Sequence, residues 1–230
     1  MRLLRTGALR PALNLALDEA LLRSGVETLR LYGWEPPGLS LGFFQSADEF
    51  ADLDGYELVR RPTGGGAIAH TGELTIARIG RGASVDAVYE RLNALMVRAA
   101  EVLGAGPLTA GEGTPRPAPT GYCFDQSTCY DLLGGGGKLF GSAQRRARDR
   151  YLVHGTLVLS KNPLSSGAGS LEVAAGRMIG RAEAEEAVIE AFARLGGAEL
   201  EPENPSESEW ADAHRLVSKR YGCESWTFRR

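Results

Sequence analysis

The sequence predicts an α+β fold: a single domain, residues 1–230, in which a mixed, mostly antiparallel sheet is flanked by helices. Two observations carry this. Strand-like and helix-like runs are mixed along the chain without the strict β-α-β alternation of a doubly wound parallel sheet. Two strand-like runs, KLFGSAQRRA (138–147) and YLVHGTLVL (151–159), lie so close together that they read as a hairpin turned near Arg148 and Asp149.

The remaining elements follow in order. LNLALDEALLR (13–23) has apolar positions at helical spacing, with Asp18 and Glu19 outward. LRLYGW (29–34) and LSLGFF (39–44) read as strands joined by a Pro-Pro turn. ELVRRP (57–62) enters a glycine run as a strand, and AIAH (67–70) and LTIARIG (74–80) leave it as strands. Residues 84–103 form an amphipathic helix with Ser84 as its N-cap. TAGEGTPRPAPTG (109–121) is loop by composition, CYDLL (129–133) a strand, and KNPLSSGAGS (161–170) loop. RAEAEEAVIEAFARL (181–195) and ESEWADAHRLVSKRYG (207–222) are helices. No internal repeat or long linker divides the chain.

Composition narrows the function classes. Hydrophobic residues make up 43% of the 230, enough for a proper core, and no apolar run approaches the roughly 20 residues that span a bilayer. Asn14, Asp18 and Glu19 interrupt the apolar N-terminal stretch, which argues against a signal peptide and for a cytoplasmic protein. A net charge of −3 gives no reason to expect nucleic-acid affinity. Three cysteines, Cys123, Cys129 and Cys223, lack metal-ligand spacing and are read as free thiols in a reducing compartment. Only three of the 26 basic residues are lysines, so a lysine here has a reason to be one.

RRPTGGGAIAH (60–70) is the first candidate site. Glycine triplets are poor strand material and serve a tight turn, a bulge, or a backbone pressed against a ligand. In the last case Arg60 or Arg61 supplies positive charge beside Gly64, Gly65 and Gly66. A phosphate loop is excluded: GGGGK (134–138) is followed by Leu139 rather than Ser or Thr, and no GxGxxG opens a helix.

GYCFDQSTCYDLLGGGGKLFGSAQRR (121–146) is the second. A lone cysteine is by default a small core hydrophobe, the reading given to Cys129 and Cys223. Cys123 differs because it follows a Pro/Gly-rich loop. Lys138, by default a surface residue, opens a strand whose Gly141, Ser142 and Ala143 make room for a ligand. An ammonium beside a thiol lowers its pKa and can hold a developing oxyanion. His70, and His154 with Gly155 after it, are by default satisfied core or edge positions; a Cys–His pair is the functional alternative. The RRARDR run (145–150) reads as a solvated hairpin tip, or as a basic rim that meets an acidic partner domain.

Taken in order, LALDEALL, TLRLYGWEPPGLSLGFFQS, RRPTGGGAIAH, GKLFGSAQRR, HGTLVLS and KRYGCESWTF resemble the lipoate-protein ligase and octanoyltransferase superfamily over nearly the whole chain. The resemblance implies a biotin/lipoate ligase-like catalytic domain without a C-terminal accessory domain. It implies that Arg60, Arg61 and Gly64–Gly66 line a pocket for a medium-chain acyl group, with His70, Gly141, Ser142, Ala143, His154 and Gly155 around it, and that Lys138 bonds the acyl carbonyl or an acyl-adenylate phosphate.

HTGELT (70–75) and CFDQSTCYDL (123–132) resemble the cysteine-dependent octanoyltransferases more than the ATP-dependent ligases. The implied activity moves an octanoyl group from acyl carrier protein, through a thioester on Cys123, to a lysine of a lipoyl domain: the glycine cleavage H protein or a dehydrogenase E2. The alternatives are an ATP-dependent lipoate ligase lacking its accessory domain, a lipoyl-domain amidotransferase, and a non-catalytic member that only binds acyl groups or acylated domains. No cofactor, metal, nucleic acid or membrane enters this reading, and the expected state is a monomer.

Overall fold

The computed structural model describes residues 1–50, 52–114 and 120–229, so part of the loop expected over 109–121 lies outside the described residues. An eight-stranded sheet runs in the order β11-β1-β2-β6-β10-β9-β8-β7, with β1 Arg2–Leu9, β2 Thr28–Trp34, β6 Leu74–Arg81, β7 Thr109–Ala110, β8 Leu132–Gly134, β9 Gly137–Ala147, β10 Arg150–Leu157 and β11 Glu201–Glu203. The pairs β11/β1 and β1/β2 are parallel and the others antiparallel. A second sheet, β4-β3-β5, comprises β3 Gly38–Leu41, β4 Glu57–Arg60 and β5 Ile68–His70. The mixed α+β architecture expected from the sequence is the one observed.

Each face of the large sheet has its own core. On β2, Leu29 and Leu31 enter one and Tyr32 the other, as period-two alternation requires. The first core receives α2 (Val85–Val102) through Val88, Leu92, Leu95, Met96 and Ala99, and α4 (Arg181–Arg194) through Ala184, Ala187, Val188 and Ala191. These spacings are one helical stripe each, and burying a leucine on such a stripe contributes about 1.5–3 kcal/mol. Ser84 caps α2 as expected, its side chain accepting from the Ala87 N–H. The second core receives α1 (Pro11–Ser24) and α5 (Glu207–Leu216). Short helices α3 (Leu171–Ala175) and α6 (Glu224–Thr227) complete the set. Among the described residues, no helix is long and apolar enough to cross a membrane.

Several boundaries differ from expectation. The strand expected over 39–44 ends at Leu41, where the chain turns and the Gln45 N–H donates to the Gly42 carbonyl at 3.1 Å; a Cβ on Gly42 would lie 1.8 Å from the carbonyl oxygen of Gly65. The strand expected over 129–133 starts only at Leu132; Cys129 and Tyr130 form a turn, and Cys129 is exposed rather than part of the core. The helix expected over 207–222 ends at Leu216 and widens into a π turn, Val217–Tyr221. Strands β1, β7 and β11 and helices α3 and α6 were not anticipated.

Candidate active site

A cavity of about 910 Å³ is walled by residues of both sheets, the glycine loop and the Cys123 segment. Every residue the sequence assigned to the site lines it, except Arg60.

Lys138 reaches the cavity because of a β-bulge. The β8/β9 register shifts between Leu132, opposite Phe140, and Leu133, opposite Lys138. Leu139 and Phe140 therefore both enter the α2/α4 core, and Lys138 turns to the opposite face, a common use of bulges beside functional sites. There its Nζ lies 2.8 Å from Asp131 Oδ2, 3.5 Å from Cys123 Sγ, 3.1 Å from the Cys123 carbonyl and 3.2 Å from the Gln126 carbonyl. Gly141 makes this possible: a Cβ on it would sit 2.6 Å from Lys138 Cε. Lys138 is only 4% exposed, which overturns the surface default. Burial opposes its charge, but the Cys123 sulfur and the Asp131 carboxylate outweigh burial and hold its pKa above the ordinary lysine value.

Cys123 begins a 3₁₀ turn, Cys123–Asp125, fastened to the end of the glycine loop. The Cys123 N–H donates to the Ala67 carbonyl at 2.8 Å, and the Ala67 N–H donates to the Gly121 carbonyl at 2.9 Å. A Cβ on Gly66 would lie 2.8 Å from Gly121 O and 3.0 Å from Cys123 N, so the third glycine exists to let these two backbones touch. A Cβ on Gly65, whose φ is +95°, would lie 4.0 Å from the sulfur. Gly64 faces open space.

The two arginines have separate tasks. Arg61 clamps the loop: Nη2 donates to the Gly64 and Gly66 carbonyls at 2.8 and 2.7 Å, and Nη1 to the Ser40 carbonyl at 2.7 Å. Burial pushes its pKa down to about 10, so it remains a cation at neutral pH. Arg60 points the other way. Its guanidinium is fully buried and bonds the carbonyls of Gly42, Gln45 and Thr227. The expectation that Arg60 meets a ligand is corrected: strand alternation turns it toward the C-terminal segment, where it ties α6 to the small sheet.

Both histidines line the cavity with both ring nitrogens engaged. His70 Nδ1 lies 2.7 Å from Glu73 Oε1 and Nε2 lies 2.9 Å from Ser40 Oγ. Burial holds His70 below its usual pKa despite Glu73, so the neutral ring donates from Nδ1 and accepts from the Ser40 hydroxyl. Trp34 stacks on it at 3.7 Å. His154 bonds Thr63 Oγ1 at 2.7 Å through Nε2 and lies 3.2 Å from Asp18 Oδ2 through Nδ1. Asp18 also takes Arg30 Nη1 at 2.6 Å and the Tyr32 hydroxyl at 2.8 Å. Burial would raise the Asp18 pKa, but Arg30 and His154 outweigh it and keep the carboxyl ionised. Asp18 was expected on the outer face of α1; the buried Arg30 draws it inward instead.

Sequence reasoning assigned no role to Asp131, Glu73, Ser40 or Trp34. Glu73, three residues after His70, was the one with a local signal; Asp131 depends on the bulge. Among the described residues no cluster of His, Cys, Asp and Glu is arranged to hold a metal.

The chain is similar to octanoyltransferase LipM of Symbiobacterium thermophilum, 36% identical over 100% of this chain and 98% of that protein. It is 35% identical to the LipM of Kyrpidia tusciae, again over 100% and 98%. Among solved structures, protein Ta0514 of T. acidophilum with bound lipoic acid superposes with a TM-score of 0.85 at 23% identity, covering 99% of this chain and 98% of that one. A lipoate-protein ligase A bound with ATP gives 0.79 at 23%, covering 99% and 98%. These two likenesses concern the fold. Residues 10–166 match the model of the lipoyl protein ligase A/B catalytic domain, and the chain belongs to that family.

Proposed function

We propose that this chain is an octanoyltransferase of protein lipoylation that works through a thioester on Cys123. The class of enzyme, an acyltransferase, follows from full-length similarity to proteins named octanoyltransferase LipM. The observation that carries the mechanism is the 3.5 Å separation of Lys138 Nζ and Cys123 Sγ inside a walled cavity. The donor in this reading is octanoyl-acyl carrier protein and the acceptor a lysine of a lipoyl domain.

The chemistry balances without ATP. The Cys123 thiolate attacks the carbonyl carbon of the donor thioester, and the oxyanion forms beside the Lys138 ammonium. Collapse expels the carrier thiolate, which takes a proton from Lys138. The acceptor amine then attacks the acyl-enzyme and Lys138, now neutral, receives the proton that amide formation releases. Cys123 leaves again as the thiolate. Because both imidazoles are engaged on both nitrogens, Lys138 is the group on hand for proton transfer. Arg61, with no carboxylate partner among its contacts, adds fixed positive charge. The acyl chain lies against Gly64–Gly66, toward Leu15, Trp34 and Ile68. Dividing the transfer into two half-reactions lets two protein partners use one mouth in turn.

Intact-protein mass spectrometry tests this. Wild type and Cys123→Ala are mixed with octanoyl-acyl carrier protein without ATP. A hydroxylamine-labile octanoyl adduct on wild type alone is expected. Octanoylation of a lipoyl domain that requires ATP and free octanoate, and survives Cys123→Ala, overturns the reading.

A further inference from the structure

The cavity continues past Cys123 and Lys138, around the outer edge of β9. β8 pairs with β9 only from Gly137 to Phe140, so among the described residues no strand covers that edge from Gly141 to Ala147. Both faces of β9 then wall the cavity. Gly141 looks toward Lys138, whereas a Cβ on Gly155 would meet Phe140 and Ser142, which sets Ser142 on the α2 side. Alternation carries Gln144 and Arg146 to that side too. Val85, Asp86 and Tyr130 line the same cavity as the histidines; the side of it beyond β9 is its outer lobe.

The lobe is polar and under-bonded. Ser142 Oγ and Gln144 Oε1 are buried without a hydrogen-bond partner. Such groups are rare in native proteins, and both are shielded, so a partner engages them after a small side-chain rotation. Gln144 Nε2 donates to the Val85 carbonyl at 3.0 Å, which leaves Oε1 unpaired. The uncovered strand edge offers further N–H and C=O groups. Tyr130 stacks on Tyr89 at 4.3 Å and donates to Asp86 at 2.7 Å, which makes one wall flat and leaves one carboxylate in the lobe. Arg146, exposed, stands at the outer end.

These groups suit an extended chain that carries secondary amides and ends in a single anion. We propose that the outer lobe binds the pantetheine-type arm of the acyl donor, its amides along the β9 edge against Ser142 and Gln144 and its phosphodiester at Arg146. The span from Gly141 to Arg146 along an extended strand is about 16 Å, long enough for both amides to lie between the thioester and the phosphate. The Asp86 carboxylate, with Arg146 alone of the 145–150 arginines lining the cavity, disfavours a polyphosphate. This inference rests on the thioester-donor reading above.

The test measures acyl-enzyme formation with three donors: octanoyl phosphopantetheine, octanoyl-pantetheine, and octanoyl-N-acetylcysteamine, which lacks the second amide and the phosphate. With wild type, kcat/KM is expected to be at least tenfold higher for pantetheine than for N-acetylcysteamine. Gln144→Leu is expected to remove most of that difference. Arg146→Ala is expected to weaken only the phosphorylated donor. Equal use of the two shorter donors by wild type, or an equal loss on both in Gln144→Leu, overturns the arm site and leaves the thioester reading standing. ATP competing with octanoyl phosphopantetheine in wild type but not in Gln144→Leu also overturns it, because the lobe is then a nucleotide site. No adduct from any of the three donors while octanoyl-acyl carrier protein gives one overturns the arm site; no adduct from that carrier either overturns the reading beneath it.

Discussion

Lys138 Nζ lies 3.5 Å from Cys123 Sγ, on a strand residue that a bulge has turned away from the core. One cation thus faces both the nucleophile and the place where an oxyanion forms. Lys138→Ala is expected to slow acylation roughly 10²–10³-fold, the usual cost of one oxyanion donor. Lys138→Arg keeps the charge but cannot act as a base. Its acyl-enzyme is expected to form, since a thiolate leaves without help, and to persist when a lipoyl domain is added. Mass spectrometry of the two half-reactions reads this directly; rapid turnover of the arginine variant would falsify the proton-transfer role.

Asp131 holds that ammonium at 2.8 Å and is one of the two groups that raise its pKa. Asp131→Asn removes a negative charge, so the ammonium loses its proton at lower pH. The alkaline limb of the kcat/KM profile is expected to move to lower pH, and Tm to fall, because the buried ammonium loses its charge partner. An unmoved limb would separate Asp131 from the titration.

The glycine loop predicts a contrast. Gly66→Ala places a methyl 2.8 Å from Gly121 O and 3.0 Å from Cys123 N, so the Cys123 segment must shift. A displacement of this kind is expected to cost about 100-fold in acylation while circular dichroism stays native. Gly64→Ala meets nothing within 4 Å and is expected to fold with an unchanged Tm. If both variants acylate at wild-type rate, the loop does not set the position of the sulfur.

Far from the cavity, Glu209 receives Arg2 bidentately at 2.7 and 3.0 Å, the Ser24 hydroxyl at 2.8 Å and the Ser206 N–H at 2.8 Å. Burial would raise its pKa, but these donors outweigh burial and bring it down to about 2. A carboxyl depressed in the folded state contributes stability that is fully present above its unfolded pKa, near 4.5, and is lost as pH falls toward 2. Glu209→Gln leaves Arg2 buried without its charge partner and is expected to cost roughly 3 kcal/mol at neutral pH. It should also flatten the acid limb of a urea-denaturation series over that interval.

What was legible in the sequence was local. The β9/β10 hairpin, the α2 stripe and its Ser84 cap need only neighbouring residues, and all were found near their observed places. Helix α1 starts at Pro11, two residues earlier than its apolar pattern, because a proline suits the first turn. β1 was missed because Gly7, at φ +65°, and a register shift between Arg5 and Ala8 break its alternation. At the site, the glycine loop announced itself, but the partnership of Cys123 and Lys138 across 15 residues came from family resemblance. Arg60 and Arg61 are indistinguishable as letters; strand geometry alone sends one to the C-terminal segment and the other to the cavity. Asp131 belongs to the family-like CFDQSTCYDL segment, but its partnership with Lys138 was hidden because a one-residue bulge, invisible to residue type, decides which face Lys138 takes.

The carbonyl of Gly65 fills the volume that a side chain on Gly42 would need. The demand for glycine in the triplet is therefore shared by a position more than twenty residues upstream, in a stretch that touches neither the sulfur nor its lysine. Gene variants arising at codon 42 should be as poorly tolerated as those at the triplet itself. In a saturation library, codon 42 would score among the catalytic positions while its product never approaches the substrate.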